Sequence, residues 1–81
     1  MEYKGRIVKS VSGHDKNRFY LIVAVSNDCV WIADGKNRKL EKPKRKNMKH
    51  VSVTNHVIAE IPQSNQALRR LLVPFNREGG L

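Results

Sequence analysis

The sequence lacks several features that define common classes of small protein. It has one cysteine, Cys29, so no internal disulfide can form, and a disulfide-stapled secreted fold is excluded. Its longest apolar run, Phe19–Val25, is far shorter than the roughly 18–20 residues that a membrane-spanning helix needs. The N-terminal residues show no apolar stretch after their charges, unlike a signal peptide. We therefore expect a cytoplasmic protein.

Acidic residues are also scarce. Seven Asp and Glu stand against sixteen Lys and Arg in 81 residues, which gives a formal net charge of +9 and a sequence pI near 10.2. A domain pI above about 9 is typical of proteins that bind a polyanion. RNA, DNA, an anionic membrane and an acidic protein are the candidate partners.

Groupings of residues that would indicate catalysis or metal binding are missing as well. The spacing of Cys29 and of His14, His50 and His56 matches no zinc-binding pattern. No nucleophile motif surrounds Cys29, and neither paired carboxylates nor a glycine-rich phosphate loop occurs. We expect no enzyme activity, no cofactor and no metal site.

The first half of the chain predicts an antiparallel meander of three strands. Segments rich in β-branched and aromatic residues alternate with turn signals at Gly13–Asn17, Asn27–Asp28 and Asp34–Gly35. In the first turn, Gly13 and Asp15 have structural roles and Asn17 takes a left-handed backbone conformation. The predicted strands are Tyr3–Val11, Arg18–Ser26 and Cys29–Ala33.

The second of these strands carries apolar side chains at both parities. Phe19, Leu21 and Val23 would face one side, while Tyr20 and Ile22 would face the other. A strand that is buried on both faces suits either the middle of a strongly curved small barrel or a sheet that a helix covers.

A basic block follows at Lys36–Lys49. It holds eight of the sixteen basic residues and one acid, Glu41, so it carries +7 of the total +9. Pro43 prevents a continuous helix, and we predict a short strand near Lys39–Glu41 followed by an exposed loop. A purely solubilising surface would mix both signs of charge, so this concentration favours contact with phosphates.

The last third predicts one or two short strands within His50–Ile61, broken near Asn55, and then a helix. Ser64 is a suitable N-cap for a helix over Asn65–Val73, which Pro74 would end. Leu68, Leu71 and Leu72 recur at helical spacing and would pack on the β-sheet, while Arg69 and Arg70 would point away. The expected organisation is a β domain over residues 1–61 with its basic loop at 36–49, a short helix within 62–75 and a loose tail at 76–81.

Three segments together resemble a KOW-domain RNA-binding protein. GRIVKSVSGHDKNRFYLIV at Gly5–Val23 looks like the KOW motif, and VWIADGKNRKL at Val30–Leu40 and PKRKNMKHV at Pro43–Val51 extend the match. Small bacterial KOW proteins of this kind are similar to a barrel-type protein of the archaeal and eukaryotic large ribosomal subunit. The resemblance covers about residues 3–54. It implies an SH3-like barrel and an RNA ligand, often ribosomal RNA.

We therefore expect an all-β fold, an SH3-like small barrel of about five antiparallel strands with one short C-terminal helix. The expected ligand is RNA, in the form of ribosomal RNA or a ribosomal particle with its proteins, held by phosphate and shape recognition. Trp31 is either a core residue or a stacking platform for an unpaired base. The predicted RNA-binding residues are Lys16, Arg18, Lys36, Arg38, Lys39, Lys42, Lys44, Arg45, Lys46 and Lys49.

Two other functions fit the same charge pattern. The chain could be a duplex-DNA-binding, transcription-associated KOW module, or an adaptor that docks an acidic protein. An anionic membrane is disfavoured, because no apolar face is interleaved with the basic block for insertion. The sequence leaves the identity of the RNA and the oligomeric state open.

Overall fold

The computed structural model describes residues 3–78, and the side chains of residues 3–76. Five strands form one antiparallel sheet in the order β4-β3-β2-β1-β5, and a single α-helix follows them. The expected fold class, a small barrel-like sheet of five antiparallel strands with a C-terminal helix, is confirmed. The strands are β1 (Arg6–Ser10), β2 (Phe19–Val25), β3 (Cys29–Ala33), β4 (Lys44–Asn47) and β5 (Val51–Val57); a 3₁₀ turn (Met48–His50) joins β4 to β5, and α1 spans Asn65–Glu78.

Both faces of the central strands are buried, which is why β2 is apolar at both parities. One face contributes Tyr20 and Ile22 to an inner core that spans β1, β2, β3 and β5, with Met48 and Tyr3 packed against it. The other face contributes Leu21 to a second core beneath the helix, where Leu68 and Leu72 are almost fully buried. Both explanations for the apolar strand therefore apply, because the sheet curves around an inner core and a helix covers its other face.

The first turn adopts the predicted backbone. Gly13 and Asn17 have φ angles of +84° and +72°, the left-handed region in which glycine and asparagine are tolerated best. The carbonyl of Gly13 accepts from the N–H of Lys16, and that of Ser10 accepts from the N–H of Asn17 at 2.7 Å. The loop is therefore a closed turn whose shape its own backbone fixes.

The fourth strand differs from the prediction. A strand was expected near Lys39–Glu41, but Lys39 and Lys42 close a turn and the strand is Lys44–Asn47. Leu40 does not extend a sheet, because it packs beneath the helix and donates its N–H to Asn65 Oδ1 at 2.7 Å. The segment after Pro43 is therefore an edge strand of the sheet instead of the expected exposed loop, and four of the block's exposed cations, Lys36, Arg38, Lys39 and Lys42, lie before Pro43.

The break predicted near Asn55 is a bulge within one strand. Arg6 pairs with Val57 and Val8 pairs with Val53, so β5 inserts extra residues opposite β1. Thr54 stabilises this irregularity, because its hydroxyl donates to the carbonyl of Ile7 at 2.6 Å. The bulge lets β5 continue to Val57 instead of ending midway.

The helix begins as predicted but ends later. Ser64 caps it by accepting from the N–H of Ala67, and the chain stays helical through Pro74 to Glu78. Tertiary contacts hold this last turn: Asn76 accepts from the N–H of Phe19 at 2.8 Å and donates to its carbonyl at 3.2 Å. Phe75 packs on Phe19 with ring centroids 5.6 Å apart. The expected loose tail thus begins as helix over residues 76–78, and its remainder, 79–81, lies outside the described residues.

Replacing Asn76 with Ala should destabilise the protein by about 1–3 kcal/mol, because a partly buried N–H and C=O of Phe19 would lose their partner. Urea unfolding followed by circular dichroism would measure the loss. Arg70→Ala, an exposed change on the same helix, should cost less than about 0.5 kcal/mol. Equal stability of the two variants would show that the two hydrogen bonds between Asn76 and Phe19 are not needed to hold the end of the helix.

Candidate nucleic-acid interface

The two loops that carry predicted RNA-binding residues meet at one end of the barrel. The turn between β1 and β2 and the long loop between β3 and β4 line a shared cleft, with β4 contributing one residue and β2 another. We call this the basic cleft. It is lined by His14, Asp15, Arg18, Tyr20, Asn37, Arg38 and Lys44.

Asp34 shapes the long loop of this cleft. Its Oδ1 accepts from the backbone N–H groups of Lys36 and Arg38, both at 2.9 Å, while its own N–H donates to the carbonyl of Arg38. Gly35 has a φ of +79°, and a side chain there would collide with the carbonyl of Asn65 at the start of α1. The loop is therefore folded tightly against the helix, and its basic side chains are directed outward.

The exposed cations come from the first half of the basic block and from the β1–β2 turn. None of their side chains forms an ion pair within the part of the chain that the structure describes. Glu41, the one acid of the basic block, accepts instead from Nδ2 of Asn65 at 2.9 Å. The side chains concerned are Lys16, Lys36, Arg38, Lys39 and Lys42.

Lys46 is a correction to the predicted set. It was expected on an exposed loop, but it lies in β4 with only 6% of its surface exposed. Its ammonium donates to Asp15 Oδ1 at 2.8 Å and to the carbonyl of Ser12 at 3.1 Å. Its positive charge is already neutralised inside the protein, so Lys46 does not offer a phosphate contact.

The charge of Lys44 is also partly neutralised by Asp15, so it is less available to a ligand. Its ammonium lies 3.5 Å from Asp15 Oδ2, and its side chain keeps 32% of its surface exposed. Burial, the largest influence, opposes ionisation of Asp15, but the hydrogen bonds from Lys46 and Ser10 and the charges of the two lysines outweigh it. Together they lower the pKa of Asp15 from 3.8 to about 2. Asp15 therefore connects the β1–β2 turn to two lysines of β4.

Trp31 and Arg45 lie on the other face of the β3–β4 pair. They are register partners, whereas Lys44 and Lys46 are opposite the buried Ile32 and Val30. Trp31 is half-buried, and Arg45 directs its Nε toward Cys29 Sγ at 3.4 Å. The expected stacking platform is therefore separated from the basic cleft by the thickness of the sheet.

The remaining predicted residues are divided between the two ends of the sheet. Arg18 belongs to the basic cleft, and its Nη2 lies 3.8 Å from Asp34 Oδ2. Lys49 is exposed on the 3₁₀ turn, which contacts the β2–β3 turn through the N–H of Met48 and the carbonyl of Asp28. Because β3 separates that turn from the long loop, Lys49 does not join the basic cleft.

Sequence reasoning assigned Tyr20 to the core and missed that it also lines the cleft. Burial raises the pKa of the Tyr20 hydroxyl, and the nearby carboxylates of Asp15 and Asp34 raise it further, with Arg18 acting in the opposite direction. Asn37 was also missed. Its position two residues after the Asp34-Gly35 turn was the one sequence feature that could have placed it at the cleft.

Comparisons with protein-family models and with curated protein sequences find no match to this chain. Within residues 3–78, no helix is long and apolar enough to cross a membrane. In that same part of the chain, no three side chains of His, Cys, Asp or Glu converge to form a metal site.

Replacing Lys46 with Ala should destabilise the fold by about 3 kcal/mol, because the buried Asp15 carboxylate would lose its closest charged partner and keep only Ser10 and the longer contact to Lys44. Lys39→Ala, which removes the same charge from the surface, should cost less than about 0.5 kcal/mol. Thermal and urea unfolding at neutral pH would measure both. Similar losses in the two variants would contradict the structural role of Lys46.

Acidic pH should lower the free energy of unfolding, because the Asp15 carboxylate becomes protonated. Because the folded-state pKa is depressed to about 2 from 3.8, the stabilisation is fully present above pH 4 and is lost as the pH falls toward 2. A shift of this size corresponds to roughly 2 kcal/mol. Urea unfolding between pH 5 and 2 should show this loss in the wild type, and Asp15→Asn should flatten the profile in that window.

Proposed function

We propose that this protein is a non-catalytic RNA-binding protein of the cytoplasm, kin to the KOW proteins that it resembles and bound to structured RNA such as ribosomal RNA. The single observation that supports this most is the exposed, unneutralised group of cations on the long β3–β4 loop. Lys36, Arg38, Lys39 and Lys42 lie within seven residues of chain, against mutual repulsion, on a loop that the helix holds in place.

The arrangement of charge supports a backbone-reading mechanism. The acids near the basic cleft are already engaged by the protein: Asp15 by two lysines, Asp34 by the loop backbone and Glu41 by Asn65. The outward cations therefore have a phosphate as their natural counterion. Lysine contacts phosphate without reading bases, so this loop would recognise shape and charge more than sequence.

Rigidity supports the same function. The β1–β2 turn is tied to β4 through Asp15, and the long loop is tied to α1 through Asn65. A surface that is ordered before binding loses less conformational entropy when the ligand arrives. A structured RNA, whose phosphates are also fixed in space, would match such a surface best.

Binding to a structured RNA should weaken steeply with salt, because each phosphate contact releases condensed counterions. If about five phosphates are neutralised, the logarithm of the affinity should fall with the logarithm of salt concentration at a slope near −4. Combining Arg38→Gln, Lys39→Gln and Lys42→Gln should reduce that slope by about 3, at roughly one unit per contact, with little change in melting temperature. Fluorescence anisotropy with a labelled ribosomal RNA fragment would measure both quantities.

A matched pair of single variants provides the control. Lys39→Gln and Lys4→Gln remove the same charge from two exposed positions, and only Lys39 belongs to the loop. Lys39→Gln should weaken RNA binding more than Lys4→Gln. Tighter binding to a duplex DNA of equal length would favour the DNA-binding alternative, whereas absence of any polynucleotide binding at low salt would favour an acidic protein partner.

A further inference from the structure

A second cleft adjoins the basic cleft, between the long loop and the helix. Its volume is about 230 Å³, and it is lined by Arg18, Asp34, Lys36, Arg69, Leu72, Val73 and Asn76. Pockets that enclose drug-sized ligands usually measure about 300–1,000 Å³. This smaller cleft suits one sugar of a longer polymer, and we call it the helix cleft.

Two of the side chains that line the helix cleft each carry a buried polar atom without a hydrogen-bond partner within residues 3–78. Asp34 Oδ2 belongs to a side chain that is 2% exposed, and it has no hydrogen-bond partner among the described residues. Arg18 Nε is buried and also lacks one. Buried polar groups are nearly always satisfied, so each such atom needs an explanation.

The two unpartnered atoms form a complementary pair. Asp34 Oδ2 is an acceptor and Arg18 Nε is a donor, and the two groups are neighbours, since Arg18 Nη2 lies 3.8 Å from that same carboxylate oxygen. That separation is too long for a hydrogen bond. A single hydroxyl group, which donates one hydrogen bond and accepts another, would satisfy both atoms.

The backbone of the long loop holds the carboxylate of Asp34 in position. Its Oδ1 accepts from the N–H groups of Lys36 and Arg38, so the loop backbone holds one carboxylate oxygen and leaves Oδ2 unbonded. Around it, the side chains of Lys36 and Arg69 supply positive charge and Leu72 and Val73 supply an apolar wall. Positive charge beside a hydroxyl-binding pair on an apolar wall is the complement of a sugar attached to a phosphate.

We propose that the helix cleft binds one ribose of the RNA backbone, with its 2′-hydroxyl between Asp34 and Arg18 and an adjacent phosphate near Lys36 and Arg69. This inference rests on the proposed RNA-binding function and adds a means of discrimination to it. The 2′-hydroxyl is the group by which a protein distinguishes RNA from DNA. The basic cleft would attract either polymer, and the helix cleft would favour RNA.

The test compares a hairpin of ribosomal RNA with a DNA hairpin of the same sequence, first on the wild-type protein. Making both hydrogen bonds should favour RNA by roughly fivefold to 150-fold, since each contributes about 0.5–1.5 kcal/mol. Asp34→Asn keeps the acceptor that holds the loop and removes the acceptor at Oδ2, so one of the two hydrogen bonds is lost. It should reduce this RNA preference by roughly twofold to tenfold.

Asp28→Asn is the matched control, because it makes the same chemical and charge change at an exposed turn at the opposite end of β3. It should leave the RNA preference intact. Equal wild-type affinity for RNA and DNA would overturn the proposal while leaving polynucleotide binding in place, and so would an unchanged preference in Asp34→Asn. Failure to bind either polymer at low salt would instead refute the proposed function itself. The comparison of RNA with DNA on the wild-type protein tests the proposal even if Asp34→Asn fails to fold.

Discussion

The buried ion pair of Asp15 and Lys46 is the constraint on which the binding end of the molecule depends. It joins two segments that are 31 residues apart, with an Nζ–Oδ1 distance of 2.8 Å, and Ser10 adds a further hydrogen bond at 2.9 Å. A buried charge without its partner is costly, so neither residue tolerates loss of the other. The β1–β2 turn, β4 and the cleft between them are therefore fixed as one unit.

This constraint also explains how a strand of sequence Lys-Arg-Lys-Asn forms at all. Its inward residues, Lys44 and Lys46, meet one carboxylate, while its outward residue Arg45 lies beside Trp31. The strand is an edge of the sheet, where charged side chains also discourage pairing with another chain. Within the basic block, four residues thus stabilise the barrel, and the cations before Pro43 remain for a ligand.

Patterns local in sequence predicted most of the fold. Alternation and turn chemistry located the first three strands, the left-handed conformation of Asn17 and the N-cap at Ser64, because each depends on neighbours a few residues away. The errors have a common physical origin in distant contacts. Leu40 is drawn beneath the helix, Asn76 holds the helix past Pro74, and Asp15 neutralises Lys46. A charge count cannot show which lysine has an internal partner, so the site was predicted by region and not by residue.

The same limit applies to the helix cleft. Arg18 was predicted to contact RNA from its charge, but its proximity to Asp34, Lys36 and Arg69 joins three separate parts of the chain. Nothing in the local pattern around Asp34 distinguishes an aspartate that only closes a turn from one with a second oxygen left unbonded. That distinction required the folded arrangement.

Asn65 holds the long loop by three contacts: it accepts from Leu40, donates to Glu41 and confronts Gly35 with its carbonyl. It is also the first residue of α1. Because Asn65 belongs both to these contacts and to α1, a ligand that restrains the long loop also restrains the first turn of the helix. Amide hydrogens in that turn should then exchange more slowly when the ligand is bound, so hydrogen exchange in the helix would report binding at the loop.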